Sequence, residues 1–348
     1  MRQSDITARD LVVMGASAGG VEALRRVVAG LPAELPAAIC IVLHLAPDSP
    51  SALPKILERA GALPCRAASD GEPLEPGSVL VAPPDRHLVV EDGRVRLTVG
   101  PRENGHRPAI DTLFRSAAAA RGDRVVGVVL SGTRDDGAAG LAVIKANGGG
   151  AIVQDPKEAM YAGMPRSALA SVQVDAVVPS LLVAEAVVAM VNGEPMPPGS
   201  DPSNHSAAGE RTRDEGLATI CPECGGVLTE RAESGVTQWG CRVGHRYSPE
   251  SLLNAQAEDV EAAMWAAVRA LEDRRILLER MAARFESRQQ QVSARSVRRR
   301  AEEAGRQADV VRGAIEEAAV TSLREVDQYG QLRELGADAS ESEEGLAS

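Results

Sequence analysis

The sequence predicts an α/β fold for its first half, a doubly wound and mostly parallel sheet. Short, uninterrupted runs of Val, Ile and Leu are typical of strands buried on both faces, and they occur at residues 11–14, 38–43, 78–82, 125–130 and 151–154. Helical patterns separate these runs, at residues 20–30, 51–60, 110–120, 138–147 and 181–191. Because alternating strands and helices are typical of doubly wound sheets, we assign one domain to residues 1–193.

One segment of this domain departs from the parallel pattern. In residues 87–97, two runs of alternating apolar and polar residues flank the pair Asp92-Gly93. An Asp-Gly pair between alternating runs is a strong signal for a tight turn between antiparallel strands. We therefore predict a β-hairpin here.

The composition changes after residue 193. Residues 194–216 are dominated by Pro, Gly, Ser and charged residues, which predicts a linker. Residues 217–248 hold a cluster of cysteines, and we assign them to a small separate module. The acidic residues 336–348 predict a disordered tail.

Residues 249–335 read as helical. Pro249 suits a first helical turn, with Ser248 as its N-cap. Apolar residues then recur at steps of three and four, which predicts either a coiled coil or two long helices packed as a hairpin. Such a stripe needs a partner, so we expect self-association or a helical partner protein through 249–335.

Charge and hydropathy exclude some partners and locations. The chain carries 38 basic and 49 acidic residues, a net charge of −11, and few aromatics, which argues against nucleic acid. It has no apolar stretch of membrane-spanning length and no signal peptide, so we expect no membrane insertion. Its five cysteines fit reduced thiols or metal ligands better than disulfides, and we expect a cytoplasmic protein.

The loop Gly15-Ala-Ser17-Ala-Gly-Gly20 follows the first predicted strand and opens a helix. It lacks the spacing of a dinucleotide-binding loop, and no phosphate-binding lysine motif is present. A serine at the carboxyl end of a parallel strand can instead act as a nucleophile, with the helix N-terminus behind it stabilising an oxyanion. We therefore interpret Ser17 as a candidate nucleophile.

A serine nucleophile needs a base and an acid that orients the base. His44 ends the second predicted strand, and Asp135 and Asp136 follow the strand at residues 125–130. The carboxyl ends of neighbouring parallel strands share one edge of the sheet, so these side chains can meet Ser17. His87 and His106 remain alternative bases, and either aspartate could be the orienting acid.

The second cluster consists of Cys221, Cys224, Cys241 and His245. Two pairs of thiol and imidazole ligands at this spacing predict one tetrahedral Zn²⁺ in a zinc ribbon. Four protein ligands leave no open position, so we predict a structural ion and no cofactor for catalysis. We expect loss of the ion to unfold the module and to leave the activity of the first domain largely intact.

Six segments of the first domain, in order, resemble the catalytic domain of the chemotaxis protein-glutamate methylesterase family. They are residues 12–20, 42–45, 83–88, 106–114, 130–140 and 163–168. The resemblance implies hydrolysis of glutamyl γ-methyl esters on methylated chemoreceptors or another signalling protein, with glutamine deamidation as a possible second activity. It implies Ser17 as nucleophile, His44 as base and Asp136, the aspartate directly before Gly137, as orienting acid.

Two departures from the family pattern bear on regulation and function. Thr133 stands where the family commonly has Met, and about ten residues precede the first strand, so we expect regulation independent of a receiver domain. The helical region after Pro249 would supply that control. The alternative function is a non-catalytic signalling scaffold that keeps the esterase fold for binding.

Overall fold

The structure is a computed structural model that describes residues 9–45, 51–200 and 219–341, with side chains as far as residue 318. Residues 201–216 of the predicted linker and residues 342–348 of the predicted tail lie outside the described residues. The chain divides into two compact units, Met1–Ala255 and Gln256–Ser348. The cysteine-rich module belongs to the first unit.

Within residues 9–45 and 51–200, nine strands and six α-helices form the α/β part of the first unit. The strands are β1 (Leu11–Ala16), β2 (Ala38–Leu43), β3 (Cys65–Ala67), β4 (Val79–Val81), β5 (His87–Glu91), β6 (Arg94–Thr98), β7 (Val125–Val129), β8 (Gly150–Gln154) and β9 (Ala176–Val178). The helices are α1 (Gly20–Ala29), α2 (Leu53–Ala60), α3 (Ile110–Arg121), α4 (Ala138–Ala146), α5 (Gly163–Ser171) and α6 (Ser180–Asn192).

Seven of the strands form one parallel sheet in the order β3-β4-β2-β1-β7-β8-β9. This confirms the predicted parallel α/β fold. Strands β5 and β6 pair antiparallel, with Glu91 opposite Arg94, and both turn residues Asp92 and Gly93 have positive φ. That geometry is typical of the two-residue turn that Asp-Gly favours, so the predicted hairpin is confirmed.

The central strands are buried on both faces, as their uninterrupted apolar runs predict. In β1, Val12 and Met14 belong to one core, while Leu11 and Val13 belong to a second core on the other face of the sheet. Helices α1, α2 and α6 pack over the first core, and α3, α4 and α5 over the second. A sheet covered in this way exposes functional groups only at its edges.

Sequence analysis missed three elements of this domain. Arg66 interrupts strand β3, and the three apolar residues of β9 are bounded by Asp175 and Pro179, so neither strand lies in an apolar run of four or more residues. Helix α5 is short and carries Pro165 in its first turn, where the missing backbone N–H has no helical partner to lose.

A second, antiparallel sheet also lies in the first unit. It consists of β10 (Thr219–Ile220), β11 (Val227–Glu233), β12 (Val236–Cys241) and β13 (Arg246–Tyr247), in that order. Its small core contains Leu228, Tyr247 and Leu252 together with two of the cysteines, Cys221 and Cys241. We refer to residues 219–248 as the Cys/His module.

Two long helices follow, α7 (Pro249–Ser287) and α8 (Gln291–Glu341). Within the second unit, Leu278 and Ala282 of α7 lie in one buried cluster with Val297 and Ala301 of α8. Helix α8 includes residues 336–341, which the sequence analysis placed in a disordered tail; of these residues, Ala337, Ala339 and Glu341 favour a helix. In the part of the chain that the structure describes, every helix is too short or too polar to cross a membrane.

Candidate active site

Three neighbouring strands of the parallel sheet, in the order β2-β1-β7, end at the same edge. Ser17 directly follows β1, His44 directly follows β2, and Asp136 lies in the loop between β7 and α4. The chain leaves β1 toward β2 on one side and later returns to β7 on the other. Ligands of doubly wound sheets bind at such a switch point, outside the carboxyl ends of the strands.

The turn that carries Ser17 is built by glycines. The Ser17 N–H donates to the Ser131 carbonyl at 2.9 Å, and the Ser17 carbonyl accepts from the Gly20 N–H at 2.9 Å. Gly19 has a φ of 71°, and a Cβ on Gly20 would lie 2.6 Å from the Cβ of Ala16. Larger residues at these two positions would therefore open the turn and move the hydroxyl.

His44 contacts both predicted partners. Its Nδ1 lies 3.1 Å from the Ser17 Oγ, and its Nε2 lies 2.8 Å from the Asp136 Oδ2. The carboxylate accepts the Nε2–H, which leaves Nδ1 as an acceptor for the serine hydroxyl. The ring is thus used in the opposite sense from serine proteases, where Nε2 faces the nucleophile.

Asp136 is almost fully buried and accepts four hydrogen bonds. Its Oδ2 accepts from His44 and from the Ile110 N–H at 2.7 Å, and its Oδ1 accepts from the Asn104 Nδ2 at 3.0 Å and the Asp111 N–H at 3.1 Å. Burial alone would raise the pKa of Asp136, but the hydrogen bond and charge of His44 hold it well below its ordinary range. The site therefore contains a carboxylate whose position is fixed on both oxygens.

Sequence reasoning missed two residues behind Asp136, Asn104 and Asp111. The fully buried Asp111 accepts from the backbone N–H groups of Gly137 and Gly140 at the start of α4, and from Asn104. Burial and the neighbouring charge of Asp136 raise the pKa of Asp111. Asp111 belongs to one of the six resembling segments, but nothing in the local pattern marks Asn104.

The other candidate residues lie elsewhere or have other contacts. His87 is buried, and its two ring nitrogens contact the Pro101 carbonyl and the Ala109 N–H. His106 stacks on His44, with ring centroids 3.6 Å apart and an interplanar angle of 13°. Asp135 accepts from the Ser251 hydroxyl at 2.6 Å. Of the three histidines that were candidate bases, His44 is the one hydrogen-bonded to Ser17.

We expect the stability of the fold to depend on pH through His106. Burial, and to a smaller extent the charge of His44, lower the pKa of His106 to about 3, whereas a histidine in an unfolded chain has a pKa of about 6.5. Between these values the unfolded chain binds more protons, so the free energy of unfolding falls as the pH falls. The wild-type chain should therefore lose free energy of unfolding between pH 6.5 and 4.5. We expect His106→Phe, which keeps a stacked ring, to reduce that loss by about 1–2 kcal/mol. Urea unfolding at both pH values measures this; an unchanged loss would contradict it.

The Cys/His module brings its four predicted ligands together. The ligand atoms of Cys221, Cys224, Cys241 and His245 all lie within 4.8 Å of one another. The Cys224 and Cys241 sulfurs are 3.7 Å apart, and the His245 Nδ1 lies 3.7 Å from the Cys221 sulfur and 3.5 Å from the Cys241 sulfur. Tetrahedral bonds of about 2.3 Å would separate two sulfurs by about 3.8 Å, so these residues fit a zinc ion.

Comparisons with known proteins agree with this architecture. The family model described as CheB methylesterase matches residues 12–187. A Leptospira interrogans protein, provisionally named a protein-glutamate methylesterase/protein-glutamine glutaminase, is 40% identical over 177 residues, which are 51% of this chain and 92% of the relative. A Xanthomonas campestris protein named protein-glutamate methylesterase/protein-glutamine glutaminase 1 is 41% identical. The match covers 53% of this chain and 52% of that protein.

A solved structure shows the same fold. The crystal structure of the Thermotoga maritima CheB methylesterase catalytic domain is 32% identical and matches with a TM-score of 0.50. The match covers 52% of this chain and 98% of that domain. The similarity is therefore to a complete catalytic domain and to about half of this chain.

Proposed function

The chain belongs to the CheB methylesterase family, and we propose that it is a serine-type protein-glutamate methylesterase acting on glutamyl γ-methyl esters. The observation that carries this proposal is the contact of His44 with both Ser17 and Asp136, at 3.1 and 2.8 Å. In this proposal Ser17 is the nucleophile, His44 the general base and Asp136 the orienting acid.

The proposed reaction has two steps. The Ser17 Oγ attacks the ester carbonyl carbon while His44 Nδ1 takes the hydroxyl proton, and the tetrahedral intermediate then expels methanol, which leaves with that proton. His44 Nδ1 then takes a proton from a water molecule, whose oxygen attacks the carbonyl carbon of the acyl-serine. The second tetrahedral intermediate collapses as His44 returns that proton to the Ser17 Oγ, which frees Ser17 and leaves a glutamate side chain on the substrate protein. Asp136 stabilises the imidazolium in both steps and holds the ring toward the serine.

Stabilisation of the oxyanion must come from groups other than the Ser17 N–H, which the Ser131 carbonyl already engages at 2.9 Å. We propose the Ala18 N–H and the positive end of the α1 dipole, because both follow the nucleophile directly. Thr133, in the loop after β7, would contribute only its backbone N–H. Its difference from the Met common in the family would then be tolerated.

The proposed substrate is a methylated chemoreceptor or a related signalling protein. The names of the relatives carry a second activity, glutamine deamidation. The same acyl-serine would form from a glutamine side chain if ammonia left in place of methanol. We therefore propose deamidation as a secondary activity of the same three residues.

Methanol release tests the proposal. The full chain is incubated with a chemoreceptor cytoplasmic domain that carries glutamyl γ-methyl esters, and methanol and the mass of the receptor peptides are followed together. We expect methanol in step with the loss of one methyl group from each esterified peptide. Absence of methanol above the enzyme-free rate would overturn the proposal and favour the scaffold hypothesis.

We propose that Cys221, Cys224, Cys241 and His245 hold one structural Zn²⁺ in a zinc ribbon. The ligand separations and the small core of Tyr247 and Leu252 around the cysteines support this. We expect elemental analysis of the purified chain to give one zinc per chain. Cys224→Ser should lower the zinc content, whereas Cys65→Ala, at a buried cysteine of β3, should not. A zinc-free wild-type chain would contradict the proposal.

We propose that 249–335 binds a helical partner or a second copy of the chain, as a coiled coil. Several large apolar side chains of α7 are exposed, among them Leu253, Val260, Trp265 and Leu277, and they support this. The division into a catalytic domain, a module and a helical region is part of the same proposal. The cytoplasmic location stays a prediction.

A further inference from the structure

The Cys/His module and the first turn of α7 contact a loop of the catalytic domain, residues 99–109. The Asn104 N–H donates to the Arg246 carbonyl of β13 at 2.8 Å, and the Asn104 Oδ1 accepts from the Ser248 N–H at 2.9 Å. The backbones of Glu103 and Arg246 form an isolated parallel β-bridge, and Pro101 lies against Gly244. The module therefore makes backbone and side-chain contacts with this loop.

The same Asn104 side chain also reaches the candidate active site. Its Nδ2 donates to the Asp136 Oδ1 and to the Asp111 Oδ2, both at 3.0 Å. Asn104 is 2% exposed, so one buried amide joins two carboxylates on one side to the module on the other. Its φ of 52° lies in the left-handed region, which asparagine tolerates better than most residues.

A second contact connects α7 to the residue next to Asp136. The Ser251 hydroxyl donates to the Asp135 Oδ1 at 2.6 Å, and Ser251 is 1% exposed. The Ser251 N–H in turn donates to the Ser248 hydroxyl, the N-cap contact predicted from the sequence. Two buried links thus reach adjacent residues of the β7–α4 loop, one from Ser248 at the end of the module through Asn104, and one from Ser251 in the first turn of α7.

We propose that Asn104 is a positioning residue through which the Cys/His module holds Asp136, so that the reactivity of Ser17 depends on the folded module. This proposal rests on the proposed role of Ser17. If the module unfolds, the Ser248 N–H no longer fixes the Asn104 amide. Asp136 and Asp111 then lose the donor between them, and the carboxylate no longer holds His44 in one orientation.

The sequence analysis expects the activity of the first domain to be largely independent of the module, whereas this proposal makes the activity depend on it. It also gives the module a chemical role, because loss of its metal, or oxidation of its cysteines, would lower the activity of a site that contains neither. The folded module would then affect the turnover rate, kcat. Binding of a small ester should not change, since Asn104 is buried behind Asp136.

The test measures how fast Ser17 of the full chain reacts with a fluorophosphonate, and the kcat and KM for a small methyl ester. Asn104→Gly removes the side chain without straining the positive φ, and Asn104→Asp keeps the acceptor for Ser248 but replaces the donor. We expect both to lower the labelling rate and kcat about 10–100-fold, with KM and the final extent of labelling unchanged. The control Asn147→Ala changes an exposed asparagine at the end of α4 and should react like wild type.

A Cys221→Ser/Cys241→Ser double variant tests whether the folded module is needed for the reactivity of Ser17. We expect the same fall in rate, and no further fall when Asn104→Gly is added, because both changes break one link. Wild-type labelling rates in Asn104→Gly, or in the cysteine variant, would overturn the proposal, as would a fall in the extent of labelling in place of the rate. Labelling does not depend on the natural ester, so a failure of the proposed substrate would appear separately, as a labelled enzyme that releases no methanol.

Discussion

Ser17→Ala is expected to lower kcat for methanol release by about 10⁵–10⁶-fold, the loss typical when a serine nucleophile is removed. The reason is chemical, since alanine has no atom that can form the acyl intermediate. The fold should be unaffected, because Ser17 takes part in its turn through its backbone N–H and carbonyl, which alanine retains. Single-turnover methanol release from an esterified receptor domain measures the activity, and urea unfolding measures the stability.

Ser287→Ala is the matched control, because Ser287 is exposed and its hydroxyl donates only to the Arg284 carbonyl within the same helical turn. It should leave the rate unchanged. If Ser17→Ala kept more than about a hundredth of the wild-type rate, another residue would be the nucleophile. Ser131 is the nearest alternative, but its hydroxyl lies among backbone groups of Ala18 and Tyr161 and does not contact His44 in the described structure.

The strands beside the site could be predicted because a strand buried on both faces is a continuous run of apolar residues in the sequence. Residues 38–43 are uninterruptedly apolar, and β2 has those bounds. The carboxyl ends of parallel strands share one edge, so the positions of Ser17 and His44 follow from two apolar runs and the residues after them. The choice between Asp135 and Asp136 did not follow from that pattern, since the two adjacent residues are both buried and face different partners.

Contacts between distant segments explain what sequence reasoning missed. Asn104 and Ser248 are 144 residues apart, and the loop around Asn104 has neither helical nor strand periodicity. The change of composition after residue 193 predicted a linker followed by an independent module. Composition indicates the type of segment, but it does not indicate which other segment that module packs against. The stacking of His106 on His44 also depends on the path of this loop.

Asp136→Asn is expected to lower kcat by about 10³–10⁴-fold with a small change in KM. Each carboxylate oxygen accepts two hydrogen bonds, so an amide cannot replace it in either orientation. With its NH₂ toward His44, it would donate to Nε2, and the ring proton would move to Nδ1, which could then no longer accept the Ser17 proton. With its NH₂ toward Asn104, two donors would face each other and the link to the module would break.

The variant should also lose about 1–3 kcal/mol of stability, because buried donors are left without an acceptor. The kinetic loss is the larger effect and is measured with the small ester, where kcat and KM separate orientation from binding. Asp309→Asn is the control, since Asp309 is exposed and pairs only with Arg312, one turn away, at 2.7 Å. An Asp136→Asn enzyme that kept a tenth or more of the wild-type kcat would show that His44 is oriented by its contacts with Ser17 and the stacked His106 alone.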